Sequence, residues 1–257
     1  MNENKIHYEV KMTSEVSKED ELSFLKLFNF IFNKNMSSSW FDWKYRKNIY
    51  GDSIHVFCYD DTNLIGIRCF WRNDLNNQIA YQPCDTAVSE EYRKMGIFSQ
   101  MSKLALEKSK GSFIYNFPNE NSLPGNLKLG WQIYKKRYLS LNVNKGDLDN
   151  KVDYIDEDYL KWRFANKPNT KYYYSSGKEV SYLLLKRKNG IYYYLGNFNP
   201  AYNDYFEKTN LGIILKYVDK ETLFYKLFKK NSITVFYDNR LEKKDFPAIP
   251  MNKADYF

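Results

Sequence analysis

Polar and apolar residues alternate through IHYEV near the start of the chain, a period of two that predicts a first strand. The period lengthens after Ser17, an N-cap followed by Glu19, Asp20 and Glu21 at the positive end of a helix dipole. DELSFLKLFNFIFNK then sets Leu22, Leu25, Phe28 and Phe32 on one helical stripe. Met36 to Ser39 breaks the pattern, and WFDWKYRKN predicts a second helix. Two strands follow, HVFCYD from His55 and LIGIRCFW from Leu64 to Trp71, joined as a hairpin through Asp61, Thr62 and Asn63. QIAYQPCDTAV is a third strand, in which Pro83 requires an edge, a bulge or a bend. A helix from Ile97 to about Lys110 turns Met101, Leu104 and Ala105 inward and ends at Gly111. SFIYNF is the next strand, Asn119 to Gly125 a polar turn, and LKLGWQIYKKRYLSLNV a closing strand pair.

The second half partly repeats the first. WKYRKN at Trp43 is matched by WRFANKP at Trp162, and HVFCYDDTNLIGIRCFW by KYYYSSGKEVSYLLLKR, a hairpin turning at Ser176 and Gly177. GIYYYLGNF is a third strand, a helix is expected near Lys220 to Lys230, and ITVFYD stands at the position of SFIYNF. The acidic stretch Asp147 to Asp156 marks the boundary, giving domains at 1–146 and 147–257.

Composition sharpens this only a little. Of 257 residues 43% are hydrophobic and 27% charged, ordinary for a globular chain, while 24 tyrosines and 18 phenylalanines point to aromatic cores. The net charge of +8 is spread along the chain without a basic run, which argues against a nucleic-acid groove and suits a small anionic ligand. Three irregularly spaced cysteines and two histidines predict neither a disulfide framework nor a metal site. With no signal peptide and no apolar run of spanning length, the expectation is a cytoplasmic protein that does not insert into membranes.

The candidate chemistry lies between Gln82 and Met101, QPCDTAVSEEYRKMGIFSQM. A strand ending at Val88 passes through Arg93, Lys94, Met95 and Gly96 into a helix starting at Ile97 and Phe98. Such a turn aims unpaired backbone N–H groups outward, a cup for phosphate with Arg93 and Lys94 beside it. At Gly96 a side chain would hold phosphate oxygens off the backbone. The pattern is neither GxxxxGK[ST] nor GxGxxG.

It resembles the signature of the GNAT superfamily of acyl-CoA-dependent N-acetyltransferases, here Val88 to Phe98 with Phe98 in place of the last small residue. The element order over roughly residues 5–145 follows the same superfamily, and a Gly-Ile-Phe ending with a second related half resembles enzymes of bacterial surface-polysaccharide assembly. The fold class implied is α/β (α+β), a mixed, mostly antiparallel sheet flanked by helices, with a degenerate second GNAT-like domain lacking the CoA turn. The resemblance implies acetyl-CoA as cosubstrate, no metal, and direct acyl transfer in a ternary complex. The acceptor implied is a small amine, such as an amino group on a nucleotide-linked sugar, and the resemblance admits a homodimer. It implies that Thr86, Ala87 and Val88 pair with pantetheine, that Arg93, Lys94, Met95, Gly96, Ile97 and Phe98 hold the pyrophosphate, and that Asn119 and Ser122 contact pantetheine or cap a short helix.

Asp85 is the candidate base or, equally, a strand-end carboxylate paired with Arg68 or Arg72. Glu120 is a second candidate base or a surface loop residue. The tyrosine that many members place four residues before a Gly-Phe pair is here Asn126, before Gly130 and Trp131, so Tyr134, Tyr115 or solvent would protonate the thiolate. Trp40, Trp71 and Tyr81 either stack on an acceptor ring or fill the core, and a C-terminal carboxylate after Tyr256 and Phe257 is a further resemblance-based candidate. Two rival readings are a non-catalytic CoA-binding module and a tRNA-dependent aminoacyl transferase of doubled GNAT fold.

Overall fold

A computed structural model describes residues 6–142, 148, 151–188, 190–210 and 212–241. The terminal Tyr256 and Phe257, and Asp147 of the expected boundary, lie outside them.

In chain order the elements are β1 (Ile6–Met12), α1 (Lys18–Phe32), α2 (Ser38–Phe41) running into a π-helical turn Asp42–Arg46, β2 (Ile54–Asp60), β3 (Asn63–Arg72) and β4 (Ala80–Val88). Then come α3 (Ile97–Lys108), β5 (Phe113–Asn116), α4 (Leu123–Lys128) and β6 (Gln132–Asn142). The second half holds α5 (Glu157–Leu160) with a π-helical turn Lys161–Ala165, β7 (Tyr172–Ser176), β8 (Ser181–Lys188), β9 (Ile191–Phe198) and a 3-10 turn Pro200–Tyr205. It closes with β10 (Glu207–Lys208), β11 (Ile213–Val218), α6 (Leu223–Phe228) and β12 (Asn231–Asp238). The repeated π turn falls on the two related tryptophan segments, so the sequence echo is a structural one.

The chain divides into two compact units, though not between 146 and 147. The first takes the chain through Asn116, then Glu120–Gln132 and the strand end from Val235; the second takes Phe117–Asn119 and Ile133–Thr234. In the first unit β1, β2, β3 and β4 are antiparallel neighbours, β5 joins β4 in parallel, and Val235 to Asp238 of β12 closes on β5. In the second unit β7, β8 and β9 are antiparallel, β11 joins β9 in parallel, and β6 closes on β11. β5 and β11 therefore each take their outer partner from the other half of the sequence, while the short β10 joins β7 in parallel. Hydrophobic patterning could not show this, because it marks a segment as a strand without naming its partner. The counterpart of SFIYNF is consequently Ile213–Val218, and ITVFYD is the counterpart of β6.

Ser17 caps α1 as expected, its hydroxyl accepting from the Asp20 N–H at 3.1 Å. The buried face is Phe24, Leu25, Leu27 and Phe28, whereas Leu22 and Phe32 turn outward. Phe24 packs against Phe28, Trp40, Phe41, Tyr45 and His55, an aromatic layer that fixes the helix on the sheet. On α3 the buried face is Ile97, Met101, Ser102, Ala105 and Leu106, with Leu104 only half-buried. The segment expected as a polar turn before Gly125 continues into α4. Among the described residues no helix is long and apolar enough to cross a membrane.

Candidate functional site

Strands β4 and β5 are paired at Ala80 with Phe113 and at Tyr81 with Ile114, and they part beyond that point. Pro83 sits where the pairing has ended. On its other edge β4 keeps β3, but the register slips: Ile67 faces Ala87 while Cys69 faces Cys84, so Asp85 and Thr86 together oppose Arg68. This bulge puts Asp85 in the left-handed region at φ 46°. The two bulge side chains then serve different partners. Asp85 reaches the π turn after α2, and Thr86 accepts from Arg68 Nη1 at 2.9 Å.

Beyond Val88 the chain makes a 3-10 turn, Glu90–Tyr92, and enters α3 through two left-handed residues, Lys94 at φ 67° and Gly96 at φ 81°. Gly96 carries a φ that disfavours any side chain, in keeping with its role as N-cap. The Gln100 N–H donates to the Gly96 carbonyl at 3.0 Å, so the N–H groups of Ile97, Phe98 and Ser99 have no earlier carbonyl within the helix to bond. Arg93, Lys94 and Met95 are exposed around this end, and Arg93 Nε donates to the Val88 carbonyl at 3.3 Å. Phe98 does not stand over the turn. Its half-buried ring lies 4.4 Å from the Arg68 guanidinium, and a Cβ on Gly125 of α4 would approach that ring to 2.9 Å.

Asp85 is paired with neither Arg68 nor Arg72, as a strand-end reading expected. Its Oδ2 accepts from Lys44 Nζ at 2.7 Å and from the Tyr45 hydroxyl, while Arg72 pairs with Asp74. Lys44 Nζ lies over the rings of Trp40, Tyr45 and Trp71 at 5.2–5.5 Å. Burial pulls the ammonium of Lys44 down, but the Asp85 charge and its hydrogen bond more than offset this and hold its pKa above the ordinary lysine value. Burial, reinforced by the Asp85 charge, raises Tyr45 well above the ordinary tyrosine value. Nearby, His55 is enclosed between Thr13 and Cys69, and desolvation lowers its pKa to about 3, so it is neutral.

On the other side of the bulge Arg68 is 2% exposed, and burial lowers its pKa to about 10. Lys44 and Tyr45 escaped sequence reasoning because they lie some forty positions before Asp85, and nothing local in the sequence couples them.

The remaining candidates are more scattered. Glu120 and Asn119 are exposed, and Asn119 groups with the second unit while Glu120 groups with the first. Ser122 is the N-cap residue of α4, but its hydroxyl makes no capping bond. Tyr134 lies on β6 in the second unit. Tyr115 is fully buried and accepts from Asn73 Nδ2. Asn126 is fully buried on α4, with neither amide atom hydrogen-bonded. Trp40, Trp71 and Tyr81 are buried, so they pack the core and present no ring for stacking. Among the described residues no group of three or more His, Cys, Asp or Glu side chains is placed to hold a metal ion.

The second unit repeats the geometry and closes it. β9 and β11 are paired at Ile191, Tyr192 and Tyr193, and β9 carries a bulge at the corresponding place, with Leu183 facing Gly196 and Leu184 facing Tyr194. The free edge past this bulge is taken by the segment Lys151 to Tyr154. Asp153 and Tyr154 both donate their N–H to the Asn197 carbonyl, at 2.9 and 3.0 Å, and Asp153 Oδ2 accepts the Asn197 N–H at 2.8 Å. Gly196, at φ 128°, leaves room for this segment: a Cβ there would meet the Tyr154 ring at 2.8 Å and Asp153 Oδ2 at 2.9 Å. No long helix follows β9, only the 3-10 turn Pro200–Tyr205.

No protein-family model matches the sequence, and no curated protein matches it. Solved structures do. The chain is similar to a GCN5-related N-acetyltransferase from Kribbella flavida, at 8% identity over 90% of this chain and 71% of the other, with a TM-score of 0.55. It is similar to a conserved protein of unknown function from Enterococcus faecalis V583, at 13% identity over 92% and 73%, with a TM-score of 0.57. A GCN5-related N-acetyltransferase from Anabaena variabilis matches at 8% identity over 90% and 72%, with a TM-score of 0.54. At these identities the likeness is one of fold, and the chain has the mixed, mostly antiparallel α/β fold of the GCN5-related N-acetyltransferase structures.

Proposed function

We propose that the first unit is an acyl-CoA-dependent N-acyltransferase that moves an acetyl group from acetyl-CoA to a small amine. The observation that carries this reading is the free edge of β4 from Gln82 to Val88, bulged at Asp85 and leading into the left-handed turn of α3. A half-buried strand edge such as this one offers its backbone groups to a partner, and pantetheine with its two amides is an extended chain of that kind. The second unit supports the analogy, because its own edge is filled by peptide groups.

In this reading Thr86 to Val88 pair with pantetheine, one of their N–H groups stabilises the oxyanion as the amine attacks, and the α3 turn from Arg93 to Phe98 takes the pyrophosphate. Lys44 and Tyr45 hold Asp85 by Oδ2, which leaves Oδ1 to accept the amine proton. The thiolate is protonated by solvent, since Asn126 has no acidic proton and Tyr115 is sealed in the core. Glu120 is the reserve base on its exposed turn, and Asn119 and Ser122 contribute at most to pantetheine contacts. The acceptor is an amino sugar, nucleotide-linked and destined for surface polysaccharide, a step that rests on resemblance; the reaction belongs in the cytoplasm, where acetyl-CoA is made. The second unit is a degenerate copy without a CoA site. A second reading, CoA binding without turnover, is favoured by Asn126 at the place of the family's tyrosine.

Calorimetric titration with acetyl-CoA, with ATP as control, followed by thiol release over a panel of amines, tests both. Binding with turnover supports the transferase, binding without turnover supports the module, and no binding removes both.

A further inference from the structure

We propose that Arg68 is an anion receptor inside the first unit, binding an oxyanion, carboxylate or phosphate, carried by the CoA ester; this deepens the acyltransferase reading above and rests on it.

Arg68 stands on β3 opposite the bulge, and its one hydrogen bond goes to a neutral hydroxyl, that of Thr86. Its Nε and Nη2 are buried without an acceptor, and among the described residues no carboxylate forms an ion pair with it. The rings of Phe98 and Phe70, at 4.4 and 5.5 Å, cover it. Two aromatic faces and a threonine do not compensate a guanidinium removed from water. If packing were its whole role, an unbranched apolar side chain of similar length would fill the space without that cost.

The location indicates what is missing. Arg68 touches Thr86 of the free β4 edge on one side and Phe98 of the first α3 turn on the other, the two places where the thioester and the phosphates would lie. Phe98 is the half-buried member of the group and rests on Gly125. The next residue, Asn126, is a second buried side chain with nothing to bond. A ligand-borne oxyanion reaching Arg68 would take the two unused N–H donors in the forked geometry that guanidinium favours.

The test compares wild type with Arg68→Met in two measurements. Without ligand, Arg68→Met is expected to melt higher than wild type, because an uncompensated charge is gone; a lower melting temperature with unchanged binding would make Arg68 structural and overturn the proposal. With acetyl-CoA, succinyl-CoA and free CoA, the variant is expected to lose affinity by about 10- to 100-fold. A loss confined to succinyl-CoA assigns a carboxylate on the acyl chain, and an equal loss for all three assigns a phosphate. Unchanged affinity for all three overturns the proposal while leaving CoA binding intact. If wild type binds no CoA species, the acyltransferase reading falls and this one with it. Should Arg68→Met fail to fold, Arg68→Lys, which keeps the charge but loses the fork, is expected to bind the same ligand more weakly; affinity equal to wild type would again overturn it.

Discussion

Two of the parallel strand pairs of this chain, β4 with β5 and β9 with β11, each open beside a bulge and meet different fates. In the second unit Lys151 to Tyr154 supplies the missing peptide groups, and Gly196 is shaped around them. In the first, among the described residues no strand pairs with the corresponding edge from Gln82 to Val88, and the chain leads from it into a 12-residue helix with a left-handed entry. A backbone edge cannot stay unsatisfied in a protein interior. In the proposed reading the difference teaches that a copy without a ligand site must lack more than motif residues: its strand edge must also be filled, here by the chain's own connecting segment.

The largest effect that would sharpen the contrast is on turnover. Asp85→Asn is expected to lower kcat by about 10²- to 10⁴-fold with acetyl-CoA affinity nearly unchanged. An equal loss in both, read from calorimetry beside steady-state rates, would make Asp85 a structural anchor for Lys44. In the closed unit, Gly196→Ala is expected to destabilise by about 2–4 kcal/mol, combining backbone strain with overpacking against Tyr154 and Asp153. Urea unfolding that shows no change would mean that the plug is loosely held. At the open unit, Arg93→Ala is expected to weaken acetyl-CoA binding by about 1.5–3 kcal/mol, as a charge-assisted hydrogen bond is lost. Unchanged affinity would remove the phosphate role of the turn.

The smallest effect concerns pH. Burial holds His55 at about 3, below the ordinary 6.5, so the unfolded chain takes up its proton first as pH falls. The stability contributed by neutral His55 is complete above pH 6.5 and declines as pH drops toward 3. Between pH 7 and pH 5 the loss is expected to be about 2 kcal/mol. His55 lies in the first unit, so amide exchange should quicken there over this range while the second unit stays protected.

Much of the first unit was legible because its signals are local. Alternation marked β1 to β4, Ser17 marked the start of α1, and the run from Val88 to Phe98 marked the turn into α3. Pro83 announced an edge, a bulge or a bend in β4, but the place of the bulge was not legible, since its left-handed residue is an aspartate and no glycine marks it. Nor was the ring of Lys44 and Tyr45 around Asp85, which exists only once the π turn has packed against β4. Asp153 and Tyr154 read as part of an acidic linker because their partner, Asn197, is brought to them by the sheet. Phe98 stands where the resemblance has a small residue, and its ring goes inward to Arg68, a direction that helix periodicity alone does not fix.

The exchange of closing strands bears on how the protein is made. Domains emerging from a ribosome ordinarily fold in turn, the amino-terminal one first. Here β5 acquires its outer neighbour only when Val235 to Asp238 has been synthesised, long after every other strand of the first unit. Until then the nascent first unit carries an open strand edge, a template for pairing with other chains. The order of translation therefore sets a waiting period, and a chain terminated before Val235 would leave that edge permanently exposed.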